Sequence, residues 1–261
     1  MIRLAHLSDI HFGGENVAAV EACVERLHAE PLDAVVVSGD LTQFGEPAEF
    51  AAASAWIDRL PMPRLVTPGN HDSPYFAVAQ RVFAPFARYR RAIGQVDRQT
   101  LSAPGLALYG LNSARGVQPR ANWSKGQISR AQAEAAVIGL SAASDDALRV
   151  VVAHHPLTEM LGGPMTGRVW GGPRAAERFA KAGVDLVLSG HIHAPFTWPY
   201  PYADGRTYAA GAGTLSVRER GVPAGFNLVE ADAAEIRVIA LAWTGRQFEP
   251  FRTWALARRS R

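Results

Sequence analysis

Short apolar runs of strand length, each closed by a cluster of Asp, Asn, His and Gly, constrain this chain more than any other feature. Strands are expected over residues 2–7, 34–38, 64–67, 106–111, 149–154 and 186–189. Ala34-Val35-Val36-Val37, Val150-Val151-Val152-Ala153 and Leu186-Val187-Leu188 are apolar throughout, as strands buried on both faces are. Helical patterns lie between the runs at 17–28, 47–60, 129–140 and 172–182. In the first of these, Val17, Val20, Val24 and Leu27 recur at helical spacing while Glu21 and Glu25 face away. Cys23 lies near that stripe and reads as a buried structural thiol. Such strand–helix alternation predicts an α/β fold with parallel pairing. Segments 207–210, 225–230, 235–241 and 253–256 are separated by Gly, Pro and Asp, and read as a hairpin set forming a second sheet. Two Gly/Pro-rich stretches, 161–173 and 194–202, look too irregular for core elements.

Composition narrows the chemistry. A chain of 261 residues, 48% hydrophobic and 20% charged, suits one domain over residues 1–261 and excludes a disordered or disulfide-stapled chain. The single cysteine excludes an internal disulfide and a thiolate metal cluster, so metal chemistry must rely on carboxylates and the eight histidines. A net charge of +3 is a weak field, so no stable nucleic-acid partner is expected. No leader pattern is visible and no apolar run nears the ~20 residues of a membrane span. A cytoplasmic protein without a transmembrane segment is therefore expected, with a homo-oligomer left open.

The polar clusters share one position. Asp9-Ile10-His11 follows the first strand, Gly39-Asp40 the second and Gly69-Asn70-His71-Asp72 the third. His154-His155 closes the fifth, and Gly190-His191-Ile192-His193 the sixth. Ligands of α/β sheets bind outside the carboxyl ends of the strands, so these five segments can meet in one crevice. Singly, each is explained as well by a turn, a cap or a packed core histidine. Together they point to an active site. Two divalent cations about 3.5–4 Å apart can clamp the attacking and leaving oxygens of an in-line displacement at phosphorus. Such a pair needs a bridging carboxylate and neutral donors. Asp9, His11, Asp40, Asn70, His154, His191 and His193 supply that set.

The five blocks, in this order, resemble the calcineurin-like metallophosphoesterase superfamily, with its D-x-H, G-D, G-N-H-[DE], H and G-H-x-H pattern. The resemblance spans residues 2–193. It implies a four-layer αββα sandwich, two mixed sheets flanked by helices, with residues 194–261 supplying second-sheet strands and the tail. It also implies roles. Asp9, His11 and His193 would bind one metal, Asn70, His154 and His191 the other, and Asp40 would bridge them. His71 would act on the phosphoryl or leaving group, oriented by Asp72. His154, at the end of its apolar run, is favoured over His155 as the ligand. The ligand chemistry suits Mn²⁺, Fe²⁺/Fe³⁺, Co²⁺ or Zn²⁺.

Within the superfamily, Gly39-Asp40-Leu41-Thr42-Gln43 departs from the G-D-x-V-D-R-G block of phosphoprotein phosphatases. The blocks look most like bacterial class III cyclic-nucleotide phosphodiesterases, with glycerophosphodiesterases nearly as close. The expectation is a dinuclear metal-dependent phosphodiesterase that uses a metal-bridging hydroxide on a small phosphodiester such as 3′,5′-cyclic AMP. A pyrophosphohydrolase or lipid-precursor phosphoesterase using the same centre is the alternative. Two further features bear on substrate. Leu157, Met160, Leu161, Met165, Val169 and Trp170, within 157–173, could form an apolar lid or an ordinary packed loop. Trp198, Tyr200 and Tyr202 could wall a base-stacking pocket or pack at a sheet edge.

Overall fold

The computed structural model describes residues 1–159 and 169–259. The elements in chain order are β1 (Ile2–Leu7), α1 (Val17–His28), β2 (Ala34–Ser38), α2 (Pro47–Asp58), β3 (Arg64–Thr67), α3 (Val78–Phe83), α4 (Ala87–Ala92), β4 (Gln99–Ala103) and β5 (Leu106–Gly110). There follow α5 (Arg130–Ser141), β6 (Leu148–Val152), α6 (Gly172–Lys181), β7 (Leu186–Ser189), β8 (Phe196–Pro199), β9 (Tyr208–Gly211), β10 (Gly225–Ala231), β11 (Glu235–Trp243) and β12 (Phe248–Ala257).

Side-chain alternation along the strands explains the layering. Leu4, Val36, Val150, Val152, Leu186 and Leu188 point into one apolar cluster shared by both sheets. Their neighbours point the other way: Ala5, Leu7, Val35 and Val37 toward the cluster containing α1 and α2 residues, and Val151, Ala153 and Val187 toward that containing α5 and α6 residues. A period of two with apolar residues on both faces requires cover on both sides, which the partner sheet and the helices provide. Two mixed sheets flanked by helices result, an αββα sandwich.

Helix ends follow local chemistry. Asn16 caps α1, its Oδ1 accepting from the Ala19 amide at 3.2 Å. Ser129 and Gln132 form a reciprocal capping box on α5, each side chain accepting from the other's amide at 3.1 Å. Cys23 is buried on the inner stripe of α1, and burial raises its thiol pKa, whereas Val17 is exposed.

The strand order is β12-β11-β10-β1-β2-β3 in one sheet and β4-β5-β6-β7-β9-β8 in the other. This corrects the expected partition of the C-terminal third. Strands β10–β12 do not build the second sheet. β10 pairs antiparallel with β1, putting the hairpin set in the sheet of the first three strands. Segment 207–210 does join the second sheet, as β9, parallel to β7. Stretch 194–202 is also regular where it was expected to be irregular, since β8 forms the antiparallel edge of that sheet. There Trp198 stacks on Phe196 with ring centres 4.3 Å apart and Tyr200 is buried, so these aromatics pack at the sheet edge.

Candidate metal centre

Parallel strands put their carboxyl ends on one edge. β1, β2 and β3 run parallel in one sheet, and β5, β6, β7 and β9 in the other. The β1–β2 ladder runs on past the strands: Asp9 N donates to Gly39 O and His11 N to Asp40 O, each at 3.0 Å. Two bonds cross between sheets at the same rim, His154 Nδ1 to Ser38 O at 2.8 Å and His191 N to Asp9 Oδ2 at 2.9 Å. The polar blocks of five strands therefore meet.

Close approach here depends on backbone that side chains resist. A Cβ on Gly69 would run into the Asp40 carboxylate and amide, and one on Gly190 into Ser8 and Asp9. Asp9 (φ 55°), His11 (52°), Asp40 (52°), His191 (69°) and His193 (62°) all adopt the left-handed conformation. Each such residue costs on the order of 1–3 kcal/mol, and strain of this kind concentrates at functional sites. Among the described residues only Arg98 and Ala203 share it elsewhere without being glycine.

The imidazoles are oriented by backbone carbonyls, which can only accept. Nδ1–H of His154 donates to Ser38 O (2.8 Å), that of His193 to Arg218 O (2.8 Å) and that of His11 to Thr42 O (3.3 Å). In the neutral ring Nε2 then carries the lone pair. Those lone pairs face other lone pairs: His193 Nε2 lies 3.1 Å from Asp9 Oδ1, and His154 Nε2 lies 3.2 Å from Asp40 Oδ2. His11 Nε2 is 3.7 Å from Asp9 Oδ1 and 3.9 Å from Asp40 Oδ2. Asp9 Oδ1, Asn70 Oδ1 and His154 Nε2 are buried with no hydrogen-bond partner. Buried acceptors converging without donors are repulsive unless a cation lies among them, so the donor set fits metal ions.

The electrostatics agree. Burial disfavours charge on His154, but Asp40 and Asp9 outweigh it and raise the ring pKa to about 9. Burial also works against the Asp9 carboxylate, and the surrounding imidazoles, His193 first, still hold its pKa well below the ordinary value. A proton on His154 thus stands where a metal would.

Among the described residues, four groups bring their donor atoms close enough to share an ion: Asp9/His11/His193, Asp9/Asp40/His154, His11/Asp40/His71 and His154/His155/His191. His155 differs from the other histidines. Its Nε2 donates to Ser124 O and its Nδ1 accepts from the Ser113 hydroxyl, both at 2.8 Å, so neither nitrogen has a free lone pair. Burial lowers its pKa well below the ordinary value. Asn70 and His191 stand beside Asp40 on the wall of a cavity of about 230 Å³, with His71 and His193.

One expectation is corrected. Asp72 does not orient His71, whose Nδ1–H donates to Gln43 O at 2.6 Å. Asp72 is fully buried and ties two loops together, accepting from Thr42 N (2.9 Å), Thr42 Oγ1 (3.0 Å) and Gly69 N (2.8 Å). Burial and the charge of Asp40 raise its pKa to about 7. It holds the rim and touches no open space.

Sequence reasoning missed Asn122, Ser124, Lys125, Arg218 and Arg220, which line the same cavity. They sit in the loops after β5 and β9, the same strand-end position as the recognised blocks, but lack Asp/His spacing to mark them. Arg218 both accepts from His193 through its carbonyl and donates to His71 Nε2 at 3.3 Å. Of the lid candidates, Leu157 and Val169 are buried in the structure, and Trp170 packs under the Arg120 guanidinium at 4.2 Å. Met160, Leu161 and Met165 lie outside the described residues.

The chain belongs to the calcineurin-like phosphoesterase family, whose model matches residues 2–195. It is 40% identical over 81 residues to the glycerophosphodiester phosphodiesterase GpdQ of Enterobacter lignolyticus, covering 26% of this chain and 29% of that protein. It is 29% identical over 82 residues to a probable cyclic nucleotide phosphodiesterase of Synechococcus, covering 28% and 32%. The matches thus span about a third or less of either relative's length. Among solved structures, a purple acid phosphatase from yellow lupin (Lupinus luteus) seeds shares the fold at TM-score 0.69 and 12% identity, over 98% of this chain and 54% of that one. No helix among the described residues is long and apolar enough to cross a membrane.

Proposed function

We propose that this protein is a dinuclear metal-dependent phosphodiesterase acting on a small phosphodiester, with 3′,5′-cyclic AMP the first candidate. The observation that carries the reading is the convergence of buried, unpartnered acceptors Asp9 Oδ1, Asn70 Oδ1 and His154 Nε2 at the rim where the two sheets meet. Asp9, His11 and His193 would hold one ion, Asn70, His154 and His191 the other, and Asp40 would serve both. Two ions such as Mn²⁺, Fe²⁺/Fe³⁺, Co²⁺ or Zn²⁺ supply Lewis-acid stabilisation of phosphoryl oxygens and a nucleophile available at neutral pH.

The chain's own residues prepare the site for an anionic ester. The carbonyls of Ser38, Thr42 and Arg218 aim three imidazoles. His71 is held with Nδ1–H on Gln43 O and Nε2 toward Arg218, which places its ring on the cavity wall where a phosphoryl or leaving oxygen would lie. Arg218, Arg220 and Lys125 on the same wall favour a negatively charged substrate. The names of the two curated relatives support a diester over a monoester.

A second reading, hydrolysis of a lipid precursor, is favoured by the exposure of Phe76 (67%) and Phe83 (86%) in the segment that also carries Tyr75 of the neighbouring cleft. Steady-state rates on cyclic AMP, a glycerophosphodiester, a nucleotide-sugar diphosphate and an acylated diester, with protein of measured metal content, separate these readings. Asp40→Ala should abolish turnover of every substrate. Full activity of that variant in metal-free form would overturn the proposal.

A further inference from the structure

The cavity at the metal-binding groups continues sideways. A second cleft of about 460 Å³ shares Asn70, His71, Asn122 and Ser124 with it and extends along Tyr75, Val78, Arg81 and Trp123. Nothing in the metal chemistry uses these last four residues.

Their properties are unusual for a plain surface groove. Tyr75 and Trp123 present aromatic surface at 58% and 36% exposure. Tyr75 makes edge contacts to Phe44 and Phe76, with ring centres 5.8 and 5.3 Å away. Arg81 is the opposite, only 8% exposed although charged. Its Nε donates to Gly116 O at 2.8 Å, one terminal nitrogen donates to Pro74 O at 3.4 Å, and its guanidinium carbon sits 5.8 Å from the Trp123 ring centre. No carboxylate among the described residues pairs with it. A guanidinium has five N–H donors, so Arg81 keeps donors to offer on the cleft side. An acyl chain laid in the cleft would cover those donors without satisfying them, whereas a planar ring with acceptor atoms would use both them and the aromatic walls.

We propose that this cleft is the subsite for one organic half of the diester and that it takes a heteroaromatic group of nucleobase type. The ring packs on Tyr75 and Trp123, and its nitrogen or carbonyl acceptors take hydrogen bonds from Arg81. The position of phosphorus beside the cleft rests on the phosphodiesterase reading; the recognition of the base does not.

The test is equilibrium dialysis of AMP and of ribose 5-phosphate with the full-length, metal-loaded protein and with its Trp123→Ala and Tyr75→Ala variants. AMP should bind at least tenfold more tightly than ribose 5-phosphate, within the range that base–aromatic stacking covers. Each variant should lose most of that difference. In kinetics, the ratio of kcat/KM for the methyl ester of AMP over a glycerophosphodiester should fall tenfold or more in both variants, mainly through KM. Equal binding of AMP and ribose 5-phosphate would overturn the subsite, as would a preference that neither substitution moves or displacement of AMP by an acylated diester that is the better substrate. If the base preference is present and lost in the variants while no diester is turned over, the subsite stands and the phosphodiesterase reading falls.

Discussion

His154 and His155 are neighbours of one chemical type with opposite fates, and the difference is where their ring nitrogens go. One spends only Nδ1–H and keeps Nε2, 3.2 Å from Asp40 Oδ2, for a proton or a metal; the other spends both nitrogens on Ser113 and Ser124. His154→Gln should therefore lose one equivalent of bound metal and most of the activity, as measured by elemental analysis and turnover. His155→Gln should keep both metals and lower stability by about 1–3 kcal/mol, the cost of buried partners left unsatisfied. Equal metal loss in the two variants would reverse the assignment. His6 makes a separate prediction. It is a buried residue of β1 itself, with Nε2 on Ser38 Oγ at 2.9 Å, and burial lowers its pKa from 6.5 to about 3. The unfolded chain takes up a proton near pH 6.5 that the folded chain refuses until about pH 3. Its contribution is thus whole above pH 6.5 and is lost as the pH falls through that window, by about 1.4 kcal/mol per unit. Urea unfolding of metal-free protein between pH 6.5 and 4 should show a shallower pH dependence in His6→Asn, by about one proton.

At the scale of elements, the site is a product of strand ends, and small residues there matter out of proportion to their size. Gly69→Ala forces a Cβ against Asp40 at the turn after β3. It should cost about 1–3 kcal/mol in chemical denaturation and weaken metal binding with it. Ser129→Ala at the start of α5 should cost about 1 kcal/mol and leave metal content unchanged. The same contrast explains what could be read from the sequence. The strand-end blocks were legible because ligand chemistry demands particular residues at particular spacings, and apolar runs such as Val150-Val151-Val152 bracket them. β8 was hidden because it is only four residues long and ends in Pro199, with Pro201 just beyond, and β4 because Gln99–Ala103 alternates half-buried with exposed residues and lacks an apolar run. The sheet joined by β10–β12 depends on a non-local pairing with β1 that no local pattern encodes. The role of Asp72 is not legible from its spacing to His71, because its oxygens are spent on Thr42 and Gly69, contacts that only the fold creates.

The whole molecule is two sheets packed through one apolar cluster, and the candidate ligands are divided between them: Asp9, His11, Asp40 and Asn70 after strands of the first sheet, and His154, His191 and His193 after strands of the second. In the metal-free chain the rim holds two buried carboxylates among imidazoles, with a proton on His154 standing in a metal's place beside Asp40 and direct inter-sheet bonds from His154 and His191. A metal pair shared across that rim should therefore act as a staple between the sheets as well as a reaction centre. Binding to the folded chain alone stabilises it by RT ln(1 + [L]/Kd), about 2.7 kcal/mol at a hundredfold excess over Kd. Added Mn²⁺ or Zn²⁺ should raise the Tm of the wild-type chain, and the rise should grow with the logarithm of metal concentration. Because each ion needs donors from its neighbourhood and Asp40 would serve both, Asp40→Ala after a strand of one sheet and His191→Ala after a strand of the other should each flatten that dependence. The effect can be followed by circular dichroism with no substrate present. A rise that survives both substitutions would place the stabilising ions elsewhere on the surface and leave the rim without its proposed role.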